Sequence, residues 1–136
     1  MPRLSQWIIR TAFLYLLLGF TVGALLLWHK GAPLHPALWG WLPAHIEFLL
    51  FGWIVQLTMG VAFWILPRYW QKERRGKEGA VKIAFVLLNV GIWLVVAYSV
   101  FQASRTFLLV GRVAEIGAAV FFASHAWGRT LSREGA

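Results

Sequence analysis

Four histidines and five glutamates carry nearly all the chemistry this chain could perform, because it contains no cysteine and no aspartate. The lack of thiols excludes disulfide frameworks, thiolate metal sites, iron–sulfur clusters and covalent haem attachment. No Ser/His/acid arrangement, phosphate-cradling glycine loop or H-E-x-x-H occurs. Reactive residue types fall into a pattern in one place, the apolar run 44–66. At 3.6 residues per turn, His45, Leu49, Gly52, Gln56, Met59 or Gly60, and Phe63 share one helix face. That face offers an imidazole and then two glycines eight positions apart, against which a flat, bulky group could lie. An imidazole within a membrane helix costs free energy unless it has a partner, which makes it a functional candidate. The alternative is a ring at headgroup level that caps the helix, and residue types alone leave both readings open.

The elements that position these residues follow from composition. The 136 residues are 60% hydrophobic, 16% aromatic and only 13% charged, with mean hydropathy +0.66. A soluble domain is about 45–50% apolar and about 25% charged, and disorder needs few aromatics, so the composition is that of an integral membrane protein. Crossing ~30 Å of hydrocarbon takes about 20 apolar residues in a helix. Runs 8–28, 44–66, 81–101 and 106–127 qualify, joined by a Pro-rich connection (29–43), a charged one (67–80) and a short turn (102–105). The expected fold is an all-α bundle of four transmembrane helices in a single domain. The first run is too long for a secretory signal and lacks a small-residue cleavage site, so it reads as a retained helix.

The net charge of +8 marks topology rather than nucleic-acid binding. Arg3, Arg10, Arg68, Lys72, Arg74, Arg75, Lys77, Lys82, Arg129 and Arg133 fall on one side, against Lys30 and Arg105 on the other. The positive-inside rule then places both termini in the cytoplasm of an inner membrane. Trp7, Trp28, Trp39, Trp41, Trp70 and Trp127 fall at interfaces as an aromatic belt, while Trp53, Trp64 and Trp93 lie deeper. Gly19 and Gly23, and Ala114 and Ala118, are small pairs that let helices approach closely.

His-x6-Gly-Trp-x6-Gly-x5-Leu-Pro-Arg, running from His45 to Arg68, resembles the second transmembrane helix of the haem–copper oxidase catalytic subunit. The resemblance is to the branch of cbb-type oxidases and nitric oxide reductases. It covers this helix well, the first weakly and the others without specificity. It implies that His45 is an axial ligand of a low-spin b-type haem near the outer leaflet, with Gly52 and Gly60 beneath the macrocycle. The family's copper-site and high-spin haem ligands come from helices absent here, so this chain is not expected to reduce oxygen by itself.

A second axial ligand is expected from His29, His35 or His45 of a second subunit, the last within a homodimer. Met59 is 14 residues, or ~21 Å, along the helix from His45, too far to share its iron. His125 belongs to the opposite end of the bundle and reads as structural. Arg112, with Arg105 and Lys30 at the rim, is expected to meet the haem propionates. Against this stands an ion pair of Arg112 with Glu115 (i, i+3), with Glu47 as another partner. Asn89, Tyr98 and Gln102 are packing groups or supporting donors. Glu73, Glu78 and Glu134 need no functional reading.

The function expected is electron transfer, haem handling or binding of a diatomic gas, with a redox partner or respiratory complex. The alternatives are a small dimeric transporter using Glu115, although the first helix carries no acid, and an accessory subunit of an oxidase-type complex.

Overall fold

The computed structural model describes residues 1–66 and 78–131. Sequence expectations for Pro67, Arg68, Trp70, Lys72, Glu73, Arg74, Arg75, Lys77, Arg133 and Glu134 lie outside these residues. The chain forms α1 (Arg3–Gly31), a 3-10 turn (Pro36–Trp41), α2 (Leu42–Glu47), a π-helical stretch (Phe48–Val55), α3 (Gln56–Ile65), α4 (Glu78–Phe101) and α5 (Arg105–Leu131). The pieces from Pro36 to Ile65 run on as one membrane-length span, called here the second span. With α1, α4 and α5 it gives four helices long and apolar enough to cross a bilayer. No strand occurs among the described residues.

The second span starts eight residues before the expected position 44. Pro36 occupies the first turn, where its missing N–H costs nothing. The His35 ring accepts a hydrogen bond from the Ala37 amide at 3.2 Å, the role of an N-cap side chain. The Pro-rich connection is therefore only a few residues long, and His45 sits more than two turns inside the span. At the far end of α4, Gln102 takes a left-handed φ of 54°, closing the helix before the short turn to Arg105.

α1 and the second span pack antiparallel through reciprocal small–large pairs. Gly23 lies under the His45 ring and Gly19 under Leu49, while Gly52 lies under Tyr15, and Gly60 under Ile8 and Ile9. Ser5 Oγ adds a 2.7 Å hydrogen bond to the Gly60 carbonyl. α4 and α5 cross with backbones in contact, since a Cβ on Gly91 would fall 2.8 Å from the Gly111 carbonyl oxygen. Small residues at such crossings supply the close contact that drives helix association where lipid and side chains are equally apolar. Of the expected pair on α5, Ala118 is buried in the core with Ala84 and Leu88 of α4.

Polar side chains tie the helices together at membrane depth. Tyr15 donates to Asn89 Oδ1 at 2.7 Å, and Asn89 donates to Gln56 Oε1 at 2.9 Å and to the Phe85 carbonyl at 2.8 Å. Of the three polar candidates named from the sequence, Asn89 joins α1, α3 and α4, while Gln102 donates to its own helix at Ser99. Large apolar side chains remain exposed along every span, among them Leu17, Ile46, Val86 and Val113, as expected of a protein solvated by lipid.

Arg129 has a role that its place in the charge pattern did not suggest. Its guanidinium is buried and donates to the carbonyls of Phe63, at 3.1 Å, and Leu66, capping the C-terminal end of α3 from the neighbouring α5. It also lies over the Phe63 ring. Cations at a helix C-terminus satisfy orphan carbonyls and complement the dipole. Arg129→Met is expected to cost about 2–4 kcal/mol, because the buried Phe63 carbonyl and the part-buried Leu66 carbonyl lose their donor. Thermal unfolding in detergent measures this; a loss under about 0.5 kcal/mol would show that water or lipid replaces the guanidinium.

Candidate functional site

His45 projects from α2 onto α1, where the Gly19–Gly23 step leaves a notch in the helix surface. The ring fills it so closely that a Cβ on Gly23 would fall 2.5 Å from His45 Cε1. Nδ1 lies 2.8 Å from the Gly19 carbonyl oxygen. A carbonyl can only accept, so Nδ1 carries the proton and the Nε2 lone pair is left bare. A backbone carbonyl on Nδ1 is the usual arrangement behind a metal-ligating histidine, because it sets the tautomer and the ring direction. No described residue bonds Nε2, and the side chain is half-buried.

The other imidazoles are in the opposite state. His29 Nδ1 accepts from the Leu34 amide at 2.9 Å and from the His35 amide at 3.4 Å, with the ring edge-on to Trp39. His35 Nδ1 accepts from Ala37. Each of these two therefore spends its lone pair on the backbone and carries its proton on Nε2. His125 Nε2 is 3.5 Å from Arg129, and its ring packs against Phe63 at the other end of the bundle. Of the ligands named from the sequence, His45 keeps Nε2 unbonded among the described residues, whereas His29 and His35 act as caps of the connection.

Gly52 and Gly60 face the same way as His45, as the periodicity implies, but α1 occupies the space in front of them. Tyr15 Cγ would lie 2.5 Å from a Cβ on Gly52, and Ile9 and Ile8 would lie 2.9 and 3.0 Å from one on Gly60. The bare surface expected for a flat group is thus a packed helix interface. A π-helical stretch separates His45 from Gln56, yet Gln56, Gly60 and Phe63 all turn toward Ile8 of α1, and Phe63 also meets Val81 and Arg129. Short π segments occur frequently at functional sites.

Arg112 is placed differently from its expected role with propionates. Nη2 lies 3.0 Å from Glu47 Oε2, and Nη1 lies 2.6 Å from Glu115 Oε2 and 3.3 Å from Glu47 Oε1. The Phe51 ring supports the guanidinium from one side at 5.2 Å. Both carboxylates are buried, and together they outnumber the single cation. Arg105 and Lys30 are exposed, with no ion pair among the described residues, and remain the rim cations.

One feature escaped the sequence reading, the seat for His45: the four-residue step of Gly19 and Gly23 matches that of His45 and Leu49, but pairing them requires knowing which helices touch. The two acids expected as partners of Arg112, Glu115 and Glu47, engage it at once, across two spans. Gly23→Val is expected to push the ring from its notch and break the bond to Gly19, at a cost of about 1–3 kcal/mol from overpacking. The His45 imidazole resonances by NMR report the lost bond; an unchanged tautomer would refute the seating role.

No family model, no curated protein and no solved structure matches the chain. The fold itself defines the class: a multi-pass helical membrane protein with four spans.

Proposed function

We propose that this protein is a small membrane cytochrome that holds b-type haem on His45 Nε2. The observation that carries the reading is the 2.8 Å contact of His45 Nδ1 with the Gly19 carbonyl, to which an Nδ1–H donates, whereas His29 and His35 use their Nδ1 lone pairs to accept from backbone amides. The described residues contain no cluster of three or more His, Cys, Asp or Glu groups able to hold a metal ion. Haem iron asks less of a protein, since one or two axial side chains suffice. The motif from His45 to Arg68, which resembles the low-spin haem helix of haem–copper oxidases, supports the same group.

His45 supplies one axial nitrogen, oriented by the Gly19 carbonyl and the Gly23 notch. Haem supplies an iron that changes by one electron or takes a diatomic gas. The interface of α1 with the second span is already filled, so haem on His45 would be held beside exposed apolar side chains such as Ile46 and Leu50. In a homodimer a second His45 would supply another imidazole, which suits an electron-transfer role. Arg105 and Lys30 are the cations for the propionates. Arg3, Arg10, Lys82 and Arg129 stand toward one end of their helices, which orients both termini to the cytoplasm of an inner membrane.

The test is an oxidised and dithionite-reduced absorbance spectrum of protein purified from haem-supplied cells. A Soret band with sharp reduced α and β bands is the expected result. A Soret band without them indicates an open iron position and a gas-binding role for the same site. No haem under any condition of supply overturns the proposal.

A further inference from the structure

We propose that Glu47, Arg112 and Glu115 form an exchangeable single-proton site, with the proton held between the two carboxyl groups. The two acids come from different spans and meet at one guanidinium nitrogen, Arg112 Nη1, at 3.3 Å and 2.6 Å. With all three groups ionised, the cluster would carry one uncompensated negative charge, although Glu47 is 1% and Glu115 6% exposed. Isolated charge at membrane depth is costly, and carboxyls sharing a site avoid it by sharing a proton.

A separate observation points to the same ligand. Glu115 Oε1 is buried and has no hydrogen-bond partner, although Oε2 of the same group is fully engaged. Such an orphaned atom is the position a proton would satisfy. The fold has made room for it: Gly91 of α4 lies directly beneath the Glu115 side chain, where a Cβ would come within 2.7 Å of Cγ. Among the described residues of α1 and α4, no other charge competes. α4 carries no charged residue after Lys82, roughly 13 Å below Gly91 along the helix. α1 carries none between Arg10 and Lys30, and His45 turns away onto α1. The Arg112 side chain is 42% exposed, which gives the cluster its contact with the surroundings of the bundle.

The site is tested by infrared spectroscopy of the protein in lipid nanodiscs near neutral pH, independently of haem. A carbonyl band of a protonated carboxyl, shifted by D2O, is expected in the wild type. It should be lost in both Glu47→Gln and Glu115→Gln, since each leaves one carboxylate for one guanidinium. No band in the wild type, or a band that survives both substitutions, overturns the proposal. So does a band present in choline chloride but removed by sodium chloride at the same pH, which would make this a metal-cation site. Should Glu47→Gln not fold, Glu115→Gln and Glu115→Asp decide. Loss in the first with displacement in the second supports the site, and any other pairing refutes it.

Discussion

Replacing His45 with Ala is expected to abolish the haem spectrum completely, whereas Ala at His29 or His35 leaves it in place. The difference follows from which ring nitrogen holds the proton. An imidazole ligates iron through a lone pair, and His45 keeps one on Nε2 because its Nδ1–H donates to the Gly19 carbonyl, with Nδ1 2.8 Å from the oxygen. His29 and His35 spend theirs on the amides of Leu34 and Ala37. Their loss should loosen the connection between α1 and the second span, seen as a modest drop in thermal stability, about 0.5–2 kcal/mol each for lost capping bonds. His45→Gly supplies a further check, because the cavity it opens against Gly23 can admit free imidazole, which should restore the Soret band. Haem that persists in His45→Ala but vanishes in His29→Ala would transfer the ligand role to the connection and end the present assignment.

Arg112→Met should produce the largest loss of stability of any single substitution considered. It leaves Glu47 and Glu115 buried with no counter-charge, and breaking a buried ion pair from one side costs about 3–5 kcal/mol. For a chain of this length that is a fall in melting temperature of roughly 10 °C or more. Arg112→Lys should recover part of the loss, since an ammonium lacks the planar fork that reaches both carboxylates. Neutralising the acids as well, in Arg112→Met/Glu47→Gln/Glu115→Gln, should return most of the stability, because the penalty comes from stranded charge and not from lost volume. A melting temperature for Arg112→Met within about 2 °C of wild type would mean that the cluster is not desolvated in the membrane.

Both predictions depend on residues visible in the sequence but not on information the sequence displays in full. Four apolar runs of spanning length, punctuated by Pro33, Pro36, the charged stretch and the Gln102 turn, were legible because lipid imposes a minimum helix length. His45 stood out because an imidazole in such a run needs a partner, and the Arg112–Glu115 pair because residues three apart on a helix are neighbours. Each of these signals is local, carried by composition or by spacing within one helix.

What joins different helices was not legible. Gly52 and Gly60 could equally leave space for a flat ligand or for another helix, and only the approach of α1 places Tyr15, Ile8 and Ile9 there. Arg129 could mark topology or cap a helix, and only the end of α3 beside it makes it a cap. Glu47 and Glu115 were both available to Arg112, and only a contact between residues 65 positions apart makes them engage it together. The tautomer of each histidine rests likewise on the backbone group that tertiary packing sets against its ring, 26 residues away for His45. By itself, the sequence determined a four-span membrane bundle with one unusual imidazole, because solvation by lipid acts on each helix separately. The tertiary structure alone decided which nitrogen that imidazole offers and which charges meet, because hydrogen bonds and ion pairs between helices form only at contact distance.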